Sequence, residues 1–178
     1  MQKNVCIKKL KSKIDPKPDK TFLFNIVVPV FNAEKYIEKC LNSILKQTHN
    51  RYQVLIVDDC SSDSSYEIAS AICLKNKNFK IFRNNRRIGA LHNIRNLLQK
   101  KIKEPSKTVD LIVDGDDYLY SRDVLNILEE KYNQTNCLIT YGSHISSNGV
   151  QGKKYPKLIR EFNLFRKYFW YASHLKTF

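Results

Sequence analysis

Aspartates stand in two groups, each directly after an apolar run. Asp58 and Asp59 follow Gln53–Val57, and Asp114, Asp116 and Asp117 follow Val109–Val113. They are five of the chain's 17 acidic residues, in a chain whose 31 Lys and Arg give a formal charge of +14. Clustered carboxylates repel, and in a low-dielectric cleft at least one is driven neutral unless a cation removes that cost. Their hard oxygens suit Mg2+ or Mn2+. Asp also favours turns and caps, which is the plainer reading of either group alone. Two such groups, after the two most apolar runs, favour the metal. A third segment, Asn84-Asn85-Arg86-Arg87-Ile88-Gly89, lies between an expected strand and an expected helix. Gly89 would free backbone amides at that helix start, a natural anion site. Arg86, Arg87 and Arg95 carry forked guanidiniums suited to phosphate. Together the three segments describe a site for a diphosphate held with a divalent cation.

The elements that must position these residues follow from the hydrophobic pattern. Residues 1–20 are Lys-rich and contain Pro16 and Pro18, so they read as a flexible basic arm. Residues 21–178 read as a single domain, since 178 residues is the usual size of one. Phe22–Val30 is a β-branched apolar run, expected as a strand buried on both faces and ended by Pro29. Asn32 is placed to cap a helix over about Ala33–Gln47. Its apolar face would be Tyr36, Ile37, Cys40, Leu41, Ile44 and Leu45. Gln53–Val57 is a second buried strand. Ser64-Ser65-Tyr66-Glu67 fits a capping box, which predicts a helix to about Lys75.

Phe79–Arg83 alternates like a short strand, and Gly89 to about Lys101 is helical in pattern. Val109–Val113 is a third buried strand, Ser121 can cap a helix to about Tyr132, and Cys137–Tyr141 is another strand. Asn148-Gly149 is a turn signal that closes a hairpin. The tail, Glu161–Phe178, is aromatic and basic without a period. Strands alternating with helices predict an α/β fold with a parallel sheet. Ligands of such sheets bind outside the carboxyl ends of the strands, where both Asp groups fall.

Composition removes other classes. Five widely spaced cysteines without a CxxC pair argue against a disulfide framework or a structural zinc site. Reduced thiols in the cytoplasm or another reducing compartment are the expectation. No apolar stretch reaches the roughly 20 residues of a membrane span, and the basic N-terminus lacks the apolar core of a signal peptide. The P-loop pattern GxxxxGK followed by Ser or Thr is absent, as is GxGxxG. The charge of +14, with 10 Tyr and 9 Phe, keeps a nucleic-acid-binding module as an alternative. Against it, the basic residues are spread over the arm, the Arg86 segment and the tail.

Three stretches resemble the family 2 glycosyltransferases, which have the GT-A fold, a Rossmann-like, mostly parallel sheet flanked by helices. They are Ile26-Val27-Val28-Pro29-Val30-Phe31-Asn32 with its continuation Glu34 to Thr48, then Val57-Asp58-Asp59-Cys60-Ser61-Ser62-Asp63, then Asp114-Gly115-Asp116-Asp117, similar to the family's DxD segment. The likeness covers about Phe24 to Tyr141. It implies transfer of a sugar, of hexosyl or N-acetylhexosaminyl type, from a UDP-sugar to an unknown acceptor, with inversion and with Mn2+ or Mg2+ as cofactor. Pro29 and Phe31 would line the base pocket, Asp59 would accept from base or ribose, and Glu34 would touch the nucleotide. Asp114, Asp116 and Asp117 would be the metal and catalytic carboxylates, with Asp114 also near the ribose. Gly89 and Arg95 match the family's GxxxARN segment loosely, since it reads GALHNIRN here.

The family's general base lies well downstream of the DxD segment. After Asp117 only Asp123, Glu129, Glu130 and Glu161 remain, and none matches that motif. The expectation is therefore an N-terminal donor-binding part, C-terminally incomplete. A nucleotide-sugar-binding domain without turnover is the near alternative. A nucleotidyltransferase would need a basic phosphate loop after the first strand, where PVFNAEKY offers only Lys35.

Overall fold

The computed structural model describes residues 21–100, 108–135, 138, 140–141, 145–146, 148–151 and 176–177. Its elements in chain order are β1 (Leu23–Val30), α1 (Ile37–Leu45), β2 (Tyr52–Asp58), α2 (Ser65–Leu74), β3 (Phe79–Arg83), α3 (Ala90–Lys100), β4 (Thr108–Ile112), α4 (Val124–Gln134), β5 (Thr140–Tyr141) and β6 (Lys176–Thr177). The sheet order is β3-β2-β1-β4-β6-β5. β1 to β4 are mutually parallel, and β6 runs antiparallel to both β4 and β5. The chain steps outward from β1 through β2 to β3, then α3 returns it to β4 on the other side of β1. The crevice between the carboxyl ends of β1 and β4 is thus the topological switch point.

Every residue of β1 is buried, as a central parallel strand requires. Phe24, Ile26, Val28 and Val30 pack with Ile37, Cys40, Leu41 and Ile44 of α1, Ala69 of α2, and Leu125 and Leu128 of α4. The opposite face joins Val27, Leu55 and Val57 to Leu97 of α3. The predicted face of α1 is the one buried, except that Leu45 is only partly buried and Tyr36 is exposed.

Four local expectations are corrected. Pro29 does not end β1; it pairs with Val57 inside the strand. Its carbonyl faces β4, accepting from Gly115 N–H at 3.1 Å. Its missing N–H lies on that same side, so the one bond it would give between the Val27–Val113 and Pro29–Gly115 contacts is forgone where β4 ends. Asn32 does not cap α1. It adopts φ +48°, and a turn over Ala33–Tyr36 delays the helix to Ile37. The capping box of α2 does not form; Asp63 takes the role, accepting from Ser65 N–H at 3.0 Å. Finally, the tail contributes β6, a strand no periodicity announced. The rest of Glu161–Phe178, residues 1–20, and Cys137 and Ile139 of the expected fifth strand lie outside the described residues. The Asn148-Gly149 turn is present, with Gly149 at φ +82° beside an Ile145–Gln151 bridge. Among the described residues no helix is long and apolar enough to cross a membrane.

Leu41 is fully buried in the α1 interface, whereas Leu74 is 90% exposed. Leu41→Ala should cost about 2–5 kcal/mol and Leu74→Ala less than about 0.5 kcal/mol. Urea unfolding of both variants tests this; equal costs would contradict the assigned packing.

Candidate functional site

Beyond the strands, the β1 carbonyls keep accepting from both neighbours. Val30 O takes Asp59 N–H at 2.8 Å, Val27 O takes Val113 N–H at 3.0 Å, and Pro29 O takes Gly115 N–H at 3.1 Å. These bonds set one Asp segment on each side of the β1 terminus. At Gly115 a Cβ would lie 3.1 Å from both Pro29 O and Val30 Cγ2, so only glycine approaches this closely without displacing β1. Asp114 and Asp116 flank that contact and are exposed.

A second set of bonds laces the loop after β1 to the loop after β2. Asn32 N–H donates to Ser61 Oγ at 3.0 Å, Ala33 N–H to Ser65 Oγ at 2.7 Å, and Glu34 N–H to Asp63 Oδ2 at 3.0 Å. In return Ser62 N–H reaches Asn32 Oδ1 at 2.9 Å, and Ser64 N–H reaches Glu34 Oε2 at 3.2 Å. The lacing presents the Phe31 ring to solvent at the cleft wall, 39% exposed. The Arg87 guanidinium lies 3.9 Å from the ring centroid, a cation–π contact.

The two members of the first Asp pair part company. Asp58 turns inward, its Oδ2 accepting from Ser61 N–H at 3.1 Å and lying 3.3 Å from Arg83 Nε. It is a structural anchor, not a metal ligand beside Asp59. Asp59 faces the cleft and gathers donors. Oδ1 accepts from Asn84 Nδ2 at 2.8 Å and Ile88 N–H at 2.9 Å, and Oδ2 accepts from Gly89 N–H at 2.8 Å. Burial alone would raise this carboxyl, but the bonds from Ile88, Asn93, Asn84 and Gly89 outweigh it and hold it down at about 2. Gly89, at φ +90°, is what lets the loop turn both amides onto the carboxylate. The anion at the α3 start is therefore the protein's own Asp59, not the phosphate expected there.

A cleft of about 390 Å³ is lined by Pro29, Phe31, Asp59, Gly89, Asp114 and Asp116, together with Tyr36, Arg87 and Asn93 among others. Seven of the sequence-derived residues, Arg87 included, thus meet in one cavity. Glu34, Arg95 and Asp117 do not line it. Glu34 braces the β2 loop, Arg95 is exposed on α3, and Asp117 donates its N–H to Asp114 O at 2.9 Å. Sequence reading missed the Asn84–Asn93 bridge, in which Asn84 Nδ2 donates to Asn93 Oδ1 at 2.7 Å. It also gave Arg87 to phosphate rather than to the Phe31 ring. No spacing signal announces either pairing, because both depend on loop geometry.

Among the described residues no group of three metal-ligating side chains is preassembled. The carboxylates nevertheless form a negative field. The buried Cys40 thiol, whose Sγ lies 3.7 Å from Asp114 O, is pushed up to about 12, by burial first and then by Asp117, Asp116 and Asp114. Two exposed carboxylates with open coordination suit a hard cation that keeps waters and takes its remaining ligands from substrate phosphates.

The chain belongs to the glycosyl transferase family 2, whose description matches residues 25–177. It is 27% identical over 133 residues to glycosyltransferase GlyG of Streptococcus pneumoniae, covering 75% of this chain and 42% of that protein. It is 31% identical over 140 residues to the Staphylococcus aureus poly(ribitol-phosphate) beta-N-acetylglucosaminyltransferase TarS, covering 75% of this chain and 22% of TarS. The fold is GT-A-like. A crystal structure of S. aureus TarS 1–349 with UDP-GlcNAc superposes with TM-score 0.61 at 28% identity, covering 76% of this chain and 37% of that one. The mannosyltransferase PcManGT of Pyrobaculum calidifontis, solved with GDP-Man and Mn2+, matches with TM-score 0.61 at 18% identity, over 93% of this chain and 47% of that one, and shares the fold. The chain thus spans less than half the length of these relatives.

Two outcomes follow from this geometry. Gly115→Ala forces β1 and the carboxylate segment apart and should cost about 1–3 kcal/mol in urea unfolding. An unchanged midpoint would show that the contact yields freely. Asp59, with its carboxyl held at about 2 when folded against about 3.9 unfolded, contributes stability that is present above about pH 4 and lost as pH falls towards about 2. Asp59→Asn should flatten the acid limb of stability against pH in that window. An acid limb as steep as the wild type's would refute the assignment.

Proposed function

We propose that this chain supplies the donor site of a metal-dependent, inverting glycosyltransferase using a UDP-sugar. The observation carrying the reading is the cleft at the switch point, where an exposed ring, an ionised and buried carboxylate, and two open carboxylates converge. The UDP-GlcNAc complex of TarS supports it.

The Phe31 ring offers a flat apolar face for a base, with Pro29 beside it. A base on that face displaces Arg87, whose free guanidinium then suits the diphosphate. Asp59 Oδ2 carries one N–H bond and keeps a lone pair. That carboxylate accepts from an imide N–H, as uracil presents, and rejects an unprotonated ring nitrogen. Asp114 and Asp116 would hold the divalent cation against the diphosphate, where it stabilises the charge of the leaving group. In the transfer, the bond from anomeric carbon to phosphate oxygen breaks as an acceptor oxygen bonds to the opposite face of that carbon. The hydroxyl proton passes to a general base.

One observation favours donor binding without turnover by these residues alone. Asp123 accepts from Thr48 Oγ1 at 2.8 Å, Glu129 from Phe22 N–H at 2.8 Å, and Glu130 from Gln134 Nε2 at 2.6 Å. The described carboxylates after Asp117 are thus engaged in structural bonds.

Thermal-shift titration with UDP, GDP, CDP, TDP and ATP, each with Mn2+, Mg2+ or EDTA, tests the proposal. At about 100 times its Kd a ligand adds about 2.7 kcal/mol, several degrees of shift. UDP should stabilise the wild type with metal and not with EDTA. Asp116→Ala should lose the metal-dependent shift while folding normally, and Phe31→Ala should weaken it. No shift with any diphosphate, or an equal one in EDTA, would overturn the reading.

A further inference from the structure

A second cavity, of about 470 Å³, shares none of its lining with the donor cleft. Its floor and walls come from α1 and from the segment 118–122, which leaves the carboxylate loop one residue after Asp117. Lys39, Lys46 and Arg122 line it, as do Tyr118 and Tyr120, against a single acid, Glu38. Among the described residues no carboxylate forms an ion pair with any of the three cations. Lys39 Nζ lies 3.6 Å from the Tyr118 ring centroid, a cation–π contact between two lining residues. Tyr120 is 80% exposed and Tyr118 48%.

The groove is elongated. Lys39 in α1 and Lys46 at its C-cap are seven positions apart, about 10 Å at the helical rise of 1.5 Å per residue. The segment 118–122 runs beside it, pinned where Thr48 N–H donates to Arg122 O at 2.9 Å. Cations spaced along a channel, interleaved with ring faces, fit a chain bearing repeated anions and C–H-rich sugar or polyol faces between them. A compact anion would satisfy one end only. The chain's +14 charge adds a field that draws such a polymer in.

We propose that this groove binds an anionic glycan chain, as the stretch of acceptor remote from the reacting hydroxyl. The word acceptor rests on the donor-site reading above; the binding itself does not. Carboxylated sugars and phosphodiester-linked polyols share the required chemistry.

The test measures binding of the full chain, at fixed ionic strength, to oligogalacturonate and to poly(glycerol phosphate). Neutral dextran and a single-stranded DNA of equal charge are the comparisons. One or both charged oligomers should bind, the tighter naming the source of the anion, and dextran should not. The double variant Lys46→Gln, Arg122→Gln should bind about tenfold more weakly. Tyr120→Ala, at a site too exposed to unfold the chain, should weaken binding about threefold. Lys77→Gln with Lys80→Gln removes the same charge from the exposed far side and should change affinity less than about twofold. Equal losses in the two double variants, full-strength binding by Tyr120→Ala, DNA held as tightly as the glycans, or no binding at all would each overturn the proposal. The UDP and metal shift is read separately on the groove variants and should be unchanged. Its absence from the wild type would sink the donor reading and leave the groove's binding standing.

Discussion

The carboxyl end of β1 is the constraint on which the site depends. A central parallel strand normally hands over to its loop once its neighbours end. Here the Val27, Pro29 and Val30 carbonyls go on accepting from Val113, Gly115 and Asp59. Those three backbone bonds extend the ladder past β2 and β4 and fix where each Asp segment begins. Proline at position 29 is compatible with this because its carbonyl is used, and its absent N–H forgoes only the one bond between the Val113 and Gly115 contacts. Glycine at 115 lets the backbone rest on Pro29 and Val30, where a Cβ would lie 3.1 Å from the Pro29 carbonyl and the Val30 side chain. Two residues that look like local breakers are the surfaces across which two loops are brought to one point.

Asp59 transmits that placement across the sheet. Its carboxylate binds the end of β3 through Asn84 and the approach to α3 through Ile88 and Gly89. An ionised carboxylate with this many donors behaves as a rigid hub, since loss of any partner leaves a buried charge less solvated. The wall that carries Phe31 is tied separately, through Asn32, Ala33 and Glu34 to the loop after β2. The ring and the carboxylate are thereby held by independent bond sets anchored on the same strand ends.

The sequence made the sheet and its Asp termini legible because buried parallel strands leave continuous apolar runs, and turns after them select Asp. Helix faces were legible for the same reason, as with Ile37, Cys40, Leu41 and Ile44. What periodicity could not carry was loop geometry. Asn32 reads as a cap, yet its left-handed φ sends the chain through an extra turn before α1. Arg87 reads as a phosphate ligand, yet the turn ending at Gly89 aims it at Phe31. The glycine-led helix start reads as an open anion site, yet a carboxylate from 30 positions earlier in the chain occupies it. In each case the decisive partner is remote in sequence, and no local pattern encodes it. β6 belongs to the same class, since a two-residue strand has no period to read.

The site holds negative charge by two different means, and the difference assigns its ends. Asp59 is buried, and its charge is kept by fixed N–H donors, so it can move little and can trade none of them without cost. Asp114 and Asp116 are instead exposed to solvent. Water is easily exchanged for a hard cation, whereas a backbone amide is not. On the proposed donor-site reading, the Asp59 end is preorganised for one hydrogen-bonding edge, the property that discrimination between bases requires. The Asp114–Asp116 end adapts, the property needed where cation and diphosphate arrive together. Cys40, buried beneath that loop with its Sγ 3.7 Å from Asp114 O, is held protonated by burial first and by the same aspartates second. If the donor-site proposal holds, a rigid recognition end joined to a compliant electrostatic end is what selecting one nucleotide while letting the diphosphate leave would require.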